Sequence, residues 1–216
     1  SSDLAEMMNL GGDERIYPAS MTKIMTALLT IENLPDLNET ITVPEDIFEE
    51  LTAQDASVAG FNPYEQPTVR DLLYGVLLPS GADACETLAR AVGGSEEGFV
   101  AMMNQKAEEL GLTNTHFENC TGLHNDNHYS TCRDIAVLMS ECLKSDTFRE
   151  IVTREVYTTE ATASHPEGIT LYDTMLHRFT SYEMSTTLEN GAVIEGGKTG
   201  FTDEAGQCLV SFAEYG

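Results

Sequence analysis

Basic residues are scarce: 11 Lys and Arg stand against 36 Asp and Glu in 216 residues, a formal charge of −25 at pH 7. Non-specific nucleic-acid binding and adhesion to anionic membranes both need a basic face, so this balance argues against them. No apolar run approaches the ~18 residues of a membrane-crossing helix. The chain opens at Ser1 without a basic segment and apolar core behind it, so any signal peptide is absent or already removed. The five cysteines (Cys85, Cys120, Cys132, Cys142, Cys208) lack CxxC spacing. A zinc site on paired cysteines is therefore unsupported, and most of them read as small buried apolar residues. Repeats and low-complexity tracts are missing as well. What remains is 41% hydrophobic, an ordinary globular composition with enough chain to bury a sizeable core.

The periodicity gives a helix-rich centre between strand-forming ends. Residues 1–19 are polar and Gly-punctuated, the remainder of a strand or hairpin ending at Pro18. Across 20–29, Met21, Ile24, Met25, Leu28 and Leu29 recur at three- and four-residue spacing. The other positions are mostly Thr and Ala, which predicts a helix buried on most sides. Residues 39–44 alternate like a short strand, and 45–67 reads as a mixed, turn-containing stretch. Thr68 with Asp71 three residues on predicts a capped helix 71–78. A second helix is expected from about Ser80 to Val92, and a third from a Ser95 cap to Leu110 with Gly111 closing it. After a polar loop, 131–143 is amphipathic through Ile135, Leu138, Met139 and Cys142. Segments 151–159, 192–197 and 207–213 look strand-like. The expected class is α+β.

Three short motifs carry chemistry. In Ser20-Met21-Thr22-Lys23, helical spacing puts Ser20 and Lys23 on one face. A serine is a weak nucleophile until a base takes its proton, and a lysine is that base only when desolvation lowers its pKa, as Met21, Ile24 and Met25 would do. The structural alternative is Ser20 as a helix cap with Lys23 reaching solvent. Lys198-Thr199-Gly200 follows Gly196-Gly197 and a strand-like run. Lys and a hydroxyl on a strand edge can hold a carboxylate, while Gly leaves room for close backbone approach; a plain Gly-rich turn is the alternative. Ser80-Gly81-Ala82 sits past Pro79 at a helix break, where a serine can relay protons or cap a helix. SxxK near the start, a Ser triplet about sixty residues on and KTG near the end is the ordered set of active-site serine β-lactamases and penicillin-binding proteins.

Longer stretches sharpen this. Residues 18–28 (Pro18 to Leu28), 68–81 (Thr68 to Gly81), 121–131 (Thr121 to Thr131) and 196–206 (Gly196 to Gly206) resemble the serine-type D-alanyl-D-alanine carboxypeptidases, the low-molecular-mass penicillin-binding proteins. The resemblance runs over roughly residues 12 to 214. It implies a β-lactamase/transpeptidase-like α+β fold, with a mostly antiparallel sheet from the chain ends and a helical lobe inserted between them. It also implies one catalytic domain over 1–216 that is apparently short at both ends, since relatives carry further strands and often a membrane-anchoring segment. Ser20 would attack the carbonyl between the last two D-alanines of a peptidoglycan stem peptide, with Lys23 as base. Ser80 would pass a proton to the leaving D-alanine. The backbone amides of Ser20 and Phe201 would form the oxyanion hole, Lys198 and Thr199 would hold the terminal carboxylate, and Gly200 would complete the substrate-binding strand. β-Lactams would acylate the same serine. The implied setting is extracytoplasmic, with no cofactor, no metal and no nucleic-acid partner.

The sequence departs from the family at position 82, where Ala82 replaces the usual Asn. A missing transition-state hydrogen bond costs about 2.7–4 kcal/mol, or 10²–10³-fold, so weakened activity is expected. Asp83 is the neighbouring polar group, turned about 100° away on a helix. Two other readings are a stem-peptide-binding relative that no longer cleaves, and a β-lactamase, which lacks its Ser-Asp-Asn triplet here. His116, His124, His128, His165 and His177 show no metal-ligand spacing; His124 and His128 read as parts of a loop beside the cleft.

Overall fold

The computed structural model describes residues 8–215, so the first seven residues of the expected N-terminal strand or hairpin lie outside it. In chain order the elements are β1 (Arg15–Ile16), a 3₁₀ turn (Ala19–Thr22), α1 (Lys23–Asn33), α2 (Ile47–Ala53), α3 (Val69–Leu77) and α4 (Ala82–Gly93). There follow α5 (Glu96–Glu109), β2 (Ser130–Thr131), α6 (Cys132–Cys142), α7 (Asp146–Val152), β3 (Val156–Thr158), β4 (Thr170–Tyr172), α8 (Leu176–Ser181), β5 (Val193–Thr202) and β6 (Gly206–Glu214). The class is α+β, and no helix among the described residues is long and apolar enough to cross a membrane.

Helix α1 is the centre. Residues 23–30 are all buried. Its Ile24, Met25, Leu28 and Leu29 join one core with Leu72 and Leu73 of α3, Leu88 of α4, Phe99 of α5, Leu138 of α6 and Phe148 of α7. Local capping sets where these helices begin. Thr68 and Asp71 form a reciprocal capping box at α3, Ser95 accepts from the Gly98 amide at α5, and Thr131 accepts from the Asp134 amide at α6. Gly111, at φ +72°, follows the end of α5 in the left-handed region expected of it.

The strands depart from the expected single sheet. Among the described residues they form three separate antiparallel pairs, β1–β2, β3–β4 and β5–β6. β1 pairs with Ser130–Thr131 from mid-chain. The 3₁₀ turn, not a strand, packs against β5: a Cβ built on Gly200 would lie 3.0 Å from Ser20 N and 3.2 Å from Pro18 O. Pro18 has no amide to donate, which suits it to ending β1. Three further expectations are corrected. Residues 39–44 form no regular strand: they make one isolated bridge, Thr40 to Thr68, with the Ile41 and Val43 amides donating to Pro67 O and Glu65 O. The run 151–159 is a strand only over β3; it starts inside α7, because the Ser145 cap on the Phe148 amide outweighs the β-branched Ile151 and Val152. The stretch 45–67 contains α2.

Candidate active site

Ser20 and Lys23 are presented by a strained turn. Ala19 has φ +47°, a left-handed value that β-carbon residues rarely adopt. Ser20 therefore lies in the 3₁₀ turn before α1 and caps nothing, and Lys23, 3% exposed, does not reach solvent. Lys23 Nζ instead meets Ser20 Oγ at 3.0 Å and the Thr121 carbonyl at 2.7 Å. Burial holds its pKa below the ordinary lysine value, the direction its apolar neighbours predict. The nearby thiols of Cys85 and Cys120 would support a charged lysine only as thiolates, and burial pushes both thiols up, Cys85 to about 12.

The Thr121 carbonyl is a part of the site that local sequence patterns did not mark. Asn119 Oδ1 accepts from the amides of Thr121 and Gly122 at 3.3 and 2.7 Å and folds the loop under Lys23. Gly122 has φ +85°, and a Cβ there would fall 1.8 Å from Ala19 O. Only glycine permits that approach. Its trace in the sequence is the Thr-Gly-Leu of the 121–131 stretch. The loop is pinned a second time by His128, 2% exposed, whose Nδ1 accepts from the Glu118 amide at 3.1 Å while Nε2 meets Thr22 Oγ1 at 2.8 Å. An accepting Nδ1 leaves Nε2 as the protonated nitrogen of the neutral ring.

Ser80 sits one residue outside α4, whose N-cap is Gly81. Its role as a helix cap is thereby ruled out. It has φ +67° and is 6% exposed, and its Oγ is the one buried side-chain polar atom without a partner among the described residues. Buried hydroxyls are nearly always bonded, so Ser80 keeps both a donor and an acceptor unused at a strained position. Ala82 is buried behind it. Asp83 does not stand in for the missing Asn: its carboxylate accepts from the amides of Ala59, Gly60 and Phe61 at 2.7, 2.9 and 3.0 Å.

The opposite wall is β5. The strand runs on through the Lys-Thr-Gly motif, with Lys198, Thr199 and Gly200 facing Val210, Leu209 and Cys208 of β6. Lys198 is 1% exposed and its Nζ donates to its neighbour's carbonyl, Thr199 O, at 3.0 Å. Burial, then the charge of Lys23, lowers it to about 7, against which Asp173 acts. Burial in turn raises Asp173 to about 6 although its Oδ1 accepts from the Met175 and Leu176 amides. Phe201 follows, its side chain 57% exposed. It lines a cleft of about 710 Å³ together with Thr121, Leu123, His124, Glu86 and Glu96.

Among the described residues, one group has donors spaced for a metal: Glu86, Glu96 and Cys120, with ligand atoms within 4.8 Å of one another. Protons hold this group together as it stands. Burial and the neighbouring Glu96 push Glu86 up to about 8, and Cys120 Sγ donates to Glu86 Oε1 at 3.3 Å. The five cysteines are all free; Cys85, Cys120 and Cys142 are buried, Cys132 is exposed.

The Ser20–Lys23 pair thus lies against β5 at Gly200, Lys23 is near enough to Lys198 to act on its charge, and the Thr174 amide ties the segment before β5 to Leu78, two residues ahead of Ser80. The family model for D-alanyl-D-alanine carboxypeptidase matches residues 7–216. The chain belongs to that peptidase family. It is 36% identical over 211 residues to the D-alanyl-D-alanine carboxypeptidase DacF of Bacillus subtilis, covering 97% of this chain and 51% of that one. It is also 36% identical over 212 residues to a D-alanyl-D-alanine carboxypeptidase of Streptomyces sp., covering 94% of this chain and 70% of the relative. The chain thus spans about half the length of the Bacillus relative. Among solved structures, the Streptomyces DD-transpeptidase superposes with a TM-score of 0.85 at 34% identity, over 97% of this chain and 80% of that one.

Proposed function

We propose that the chain is a serine carboxypeptidase domain that removes the terminal D-alanine from peptidoglycan stem peptides ending in D-Ala-D-Ala. The observation that carries this is Ser20 Oγ 3.0 Å from the amine of the buried Lys23. A lysine whose charge is disfavoured and whose amine touches a serine hydroxyl is suited to take that proton. Ser20 Oγ attacks the penultimate carbonyl, and the proton passes to Lys23. The oxyanion that develops is held by backbone amides of Ser20 and Phe201; the Ser20 amide donates to no acceptor among the described residues. Ser80, unpartnered without substrate, passes a proton to the departing D-alanine amine. Water then enters, releases the acyl group and returns the proton to Ser20. Lys198 and Thr199 hold the substrate's terminal carboxylate, and Gly200 lets β5 lie against the nucleophile. A β-lactam acylates the same serine, and residues 1–216 act as one catalytic domain outside the cytoplasmic membrane, where its substrate lies.

The test is the intact mass of the protein after incubation with benzylpenicillin, beside Ser20→Ala and followed over hours, with D-alanine release from a D-Ala-D-Ala peptide in parallel. One persistent adduct on the parent chain, none on Ser20→Ala, and D-alanine release support the reading. An adduct without D-alanine release points to the weakening expected of Ala82. No adduct at high drug concentration overturns the reading.

A further inference from the structure

Thr199 carries a single hydroxyl hydrogen, and its Oγ1 lies 2.5 Å from Thr174 Oγ1. Only one of the two hydrogens can occupy that bond. Thr174 is fixed from several directions. Its amide donates to Leu78 O at 3.2 Å, which ties it to the turn carrying Ser80. The amide of its neighbour Asp173 donates to Glu155 O at 2.8 Å, and the Asp173 carboxylate holds the Met175 and Leu176 amides. The Thr174 hydroxyl is therefore presented to β5 by a backbone with little freedom to move.

A carboxylate only accepts hydrogen bonds. When one sits on Thr199, the Thr199 hydrogen must point to it, and the shared bond must then carry the hydrogen of Thr174. We propose that Thr174 is a positioning residue for the substrate's terminal carboxylate: its hydroxyl donates to Thr199 Oγ1 and so turns the Thr199 hydrogen toward the carboxylate. This rests on the reading above that Lys198 and Thr199 hold that carboxylate. A chain of two hydroxyls ending on an anion is polarised along its length, so each bond is stronger in the complex than in the free site. Asp173, adjacent in sequence, acts on the other half of the subsite by favouring the charged form of Lys198.

A bond that merely tied residue 174 to β5 would matter equally for every ligand, and this is what the experiment separates. Acylation of Ser20 is followed by intact mass with a penicillin bearing a free carboxylate and with its methyl ester. The proteins are the parent, Thr174→Val, Thr174→Ser, Thr199→Val and the Thr174→Val/Thr199→Val pair. Thr174→Val is expected to lower acylation by the free acid about 5- to 10-fold, the net worth of one hydrogen bond, and to leave the ester within about 2-fold. Thr174→Ser should restore the parental rate, and the double variant should be no worse than Thr199→Val alone. Equal loss on both ligands, an unchanged rate with the free acid, or failure of the serine variant would each overturn the relay while Ser20 acylation of the parent stands. A parent chain that forms no adduct with either ligand would overturn the catalytic reading itself, and the relay with it.

Discussion

Lys23, on the helical wall of the cleft, meets two uncharged oxygens, Ser20 Oγ and the Thr121 carbonyl. Lys198, on the strand wall, meets the Thr199 carbonyl and has Asp173 acting on it. Both amines are buried and both are pushed down by burial first. The difference lies in the surrounding charges. Asp83, Cys85 and Cys120 would each favour a charged Lys23, but burial disfavours the ionised form of all three, and the Asp83 carboxylate is already engaged by three loop amides. Asp173, raised only to about 6, is ionised at neutral pH and supports Lys198. Burial of both amines, with different charges around them, therefore suits one lysine to giving up its proton and the other to keeping it for an anionic ligand.

The comparison is tested hardest at Lys23. Lys23→Ala should lower Ser20 acylation about 10²- to 10⁴-fold at neutral pH, the usual worth of a general base. Parental acylation kinetics in that variant would remove Lys23 from the mechanism and leave the two walls without distinct roles.

The helical wall has its own acid sensitivity through His128. Burial lowers it to about 4 from an ordinary 6.5. Between those values the unfolded chain binds a proton that the folded chain refuses. The contribution is thus complete above pH 6.5 and is lost as pH falls toward 4, amounting to about 3 kcal/mol. Protonating Nδ1 also ejects the Glu118 amide. The melting temperature of His128→Gln should therefore vary less between pH 6.5 and 4.5 than that of the parent. Asp173 and Glu86, raised by burial, act in the opposite sense, so the quantity to read is the difference between variant and parent. Identical pH slopes would show that His128 does not anchor this wall.

The helical wall was also the more legible half in the sequence. Thr68 with Asp71, Ser95, and the spacing of Ile24, Met25 and Leu28 act within a turn or two of chain, so the residues that build α1, α3 and α5 announce them. Ser20 and Lys23 were visible for the same reason, though the 3₁₀ turn that delivers them was not. β5 was partly legible, as a strand leading into Lys198. What stayed hidden depends on distant chain: β1 pairs with residues 115 or so positions on, and Asp173 and Thr174 reach Lys198 and Thr199 through a short strand and a turn without periodicity. Thr121 contributes a backbone carbonyl, which no side-chain pattern records. The reading of 151–159 as a strand held over β3, Val156–Thr158, and failed at its start, where a seven-residue helix carries the β-branched Ile151 and Val152.

On the strand wall the expected effects are smaller, because ligand capture and not bond breaking is at stake. Lys198→Ala should weaken acylation by carboxylate-bearing ligands about 10- to 100-fold, the range for a hydrogen bond to a charged group. An unchanged efficiency would take Lys198 out of the site.

The smallest and most discriminating change is Asp173→Asn, which keeps an oxygen for the Met175 and Leu176 amides and removes the charge. Lys198 is cationic below its pKa of about 7, so capture of an anionic ligand should decline as pH rises through 7. Without the Asp173 carboxylate the neutral amine is favoured further, and the decline should begin at lower pH. At pH 7 this means a loss of a few-fold, about 1 kcal/mol or less by the usual conversion, absent for a ligand whose carboxylate is esterified. The pH profile of acylation, measured from pH 5.5 to 8.5 on parent and variant, decides it. A decline at the same pH in both would mean that Asp173 does not support the Lys198 charge. The two walls would then differ only in the hydroxyls they offer, Ser20 beside one lysine and Thr199 beside the other.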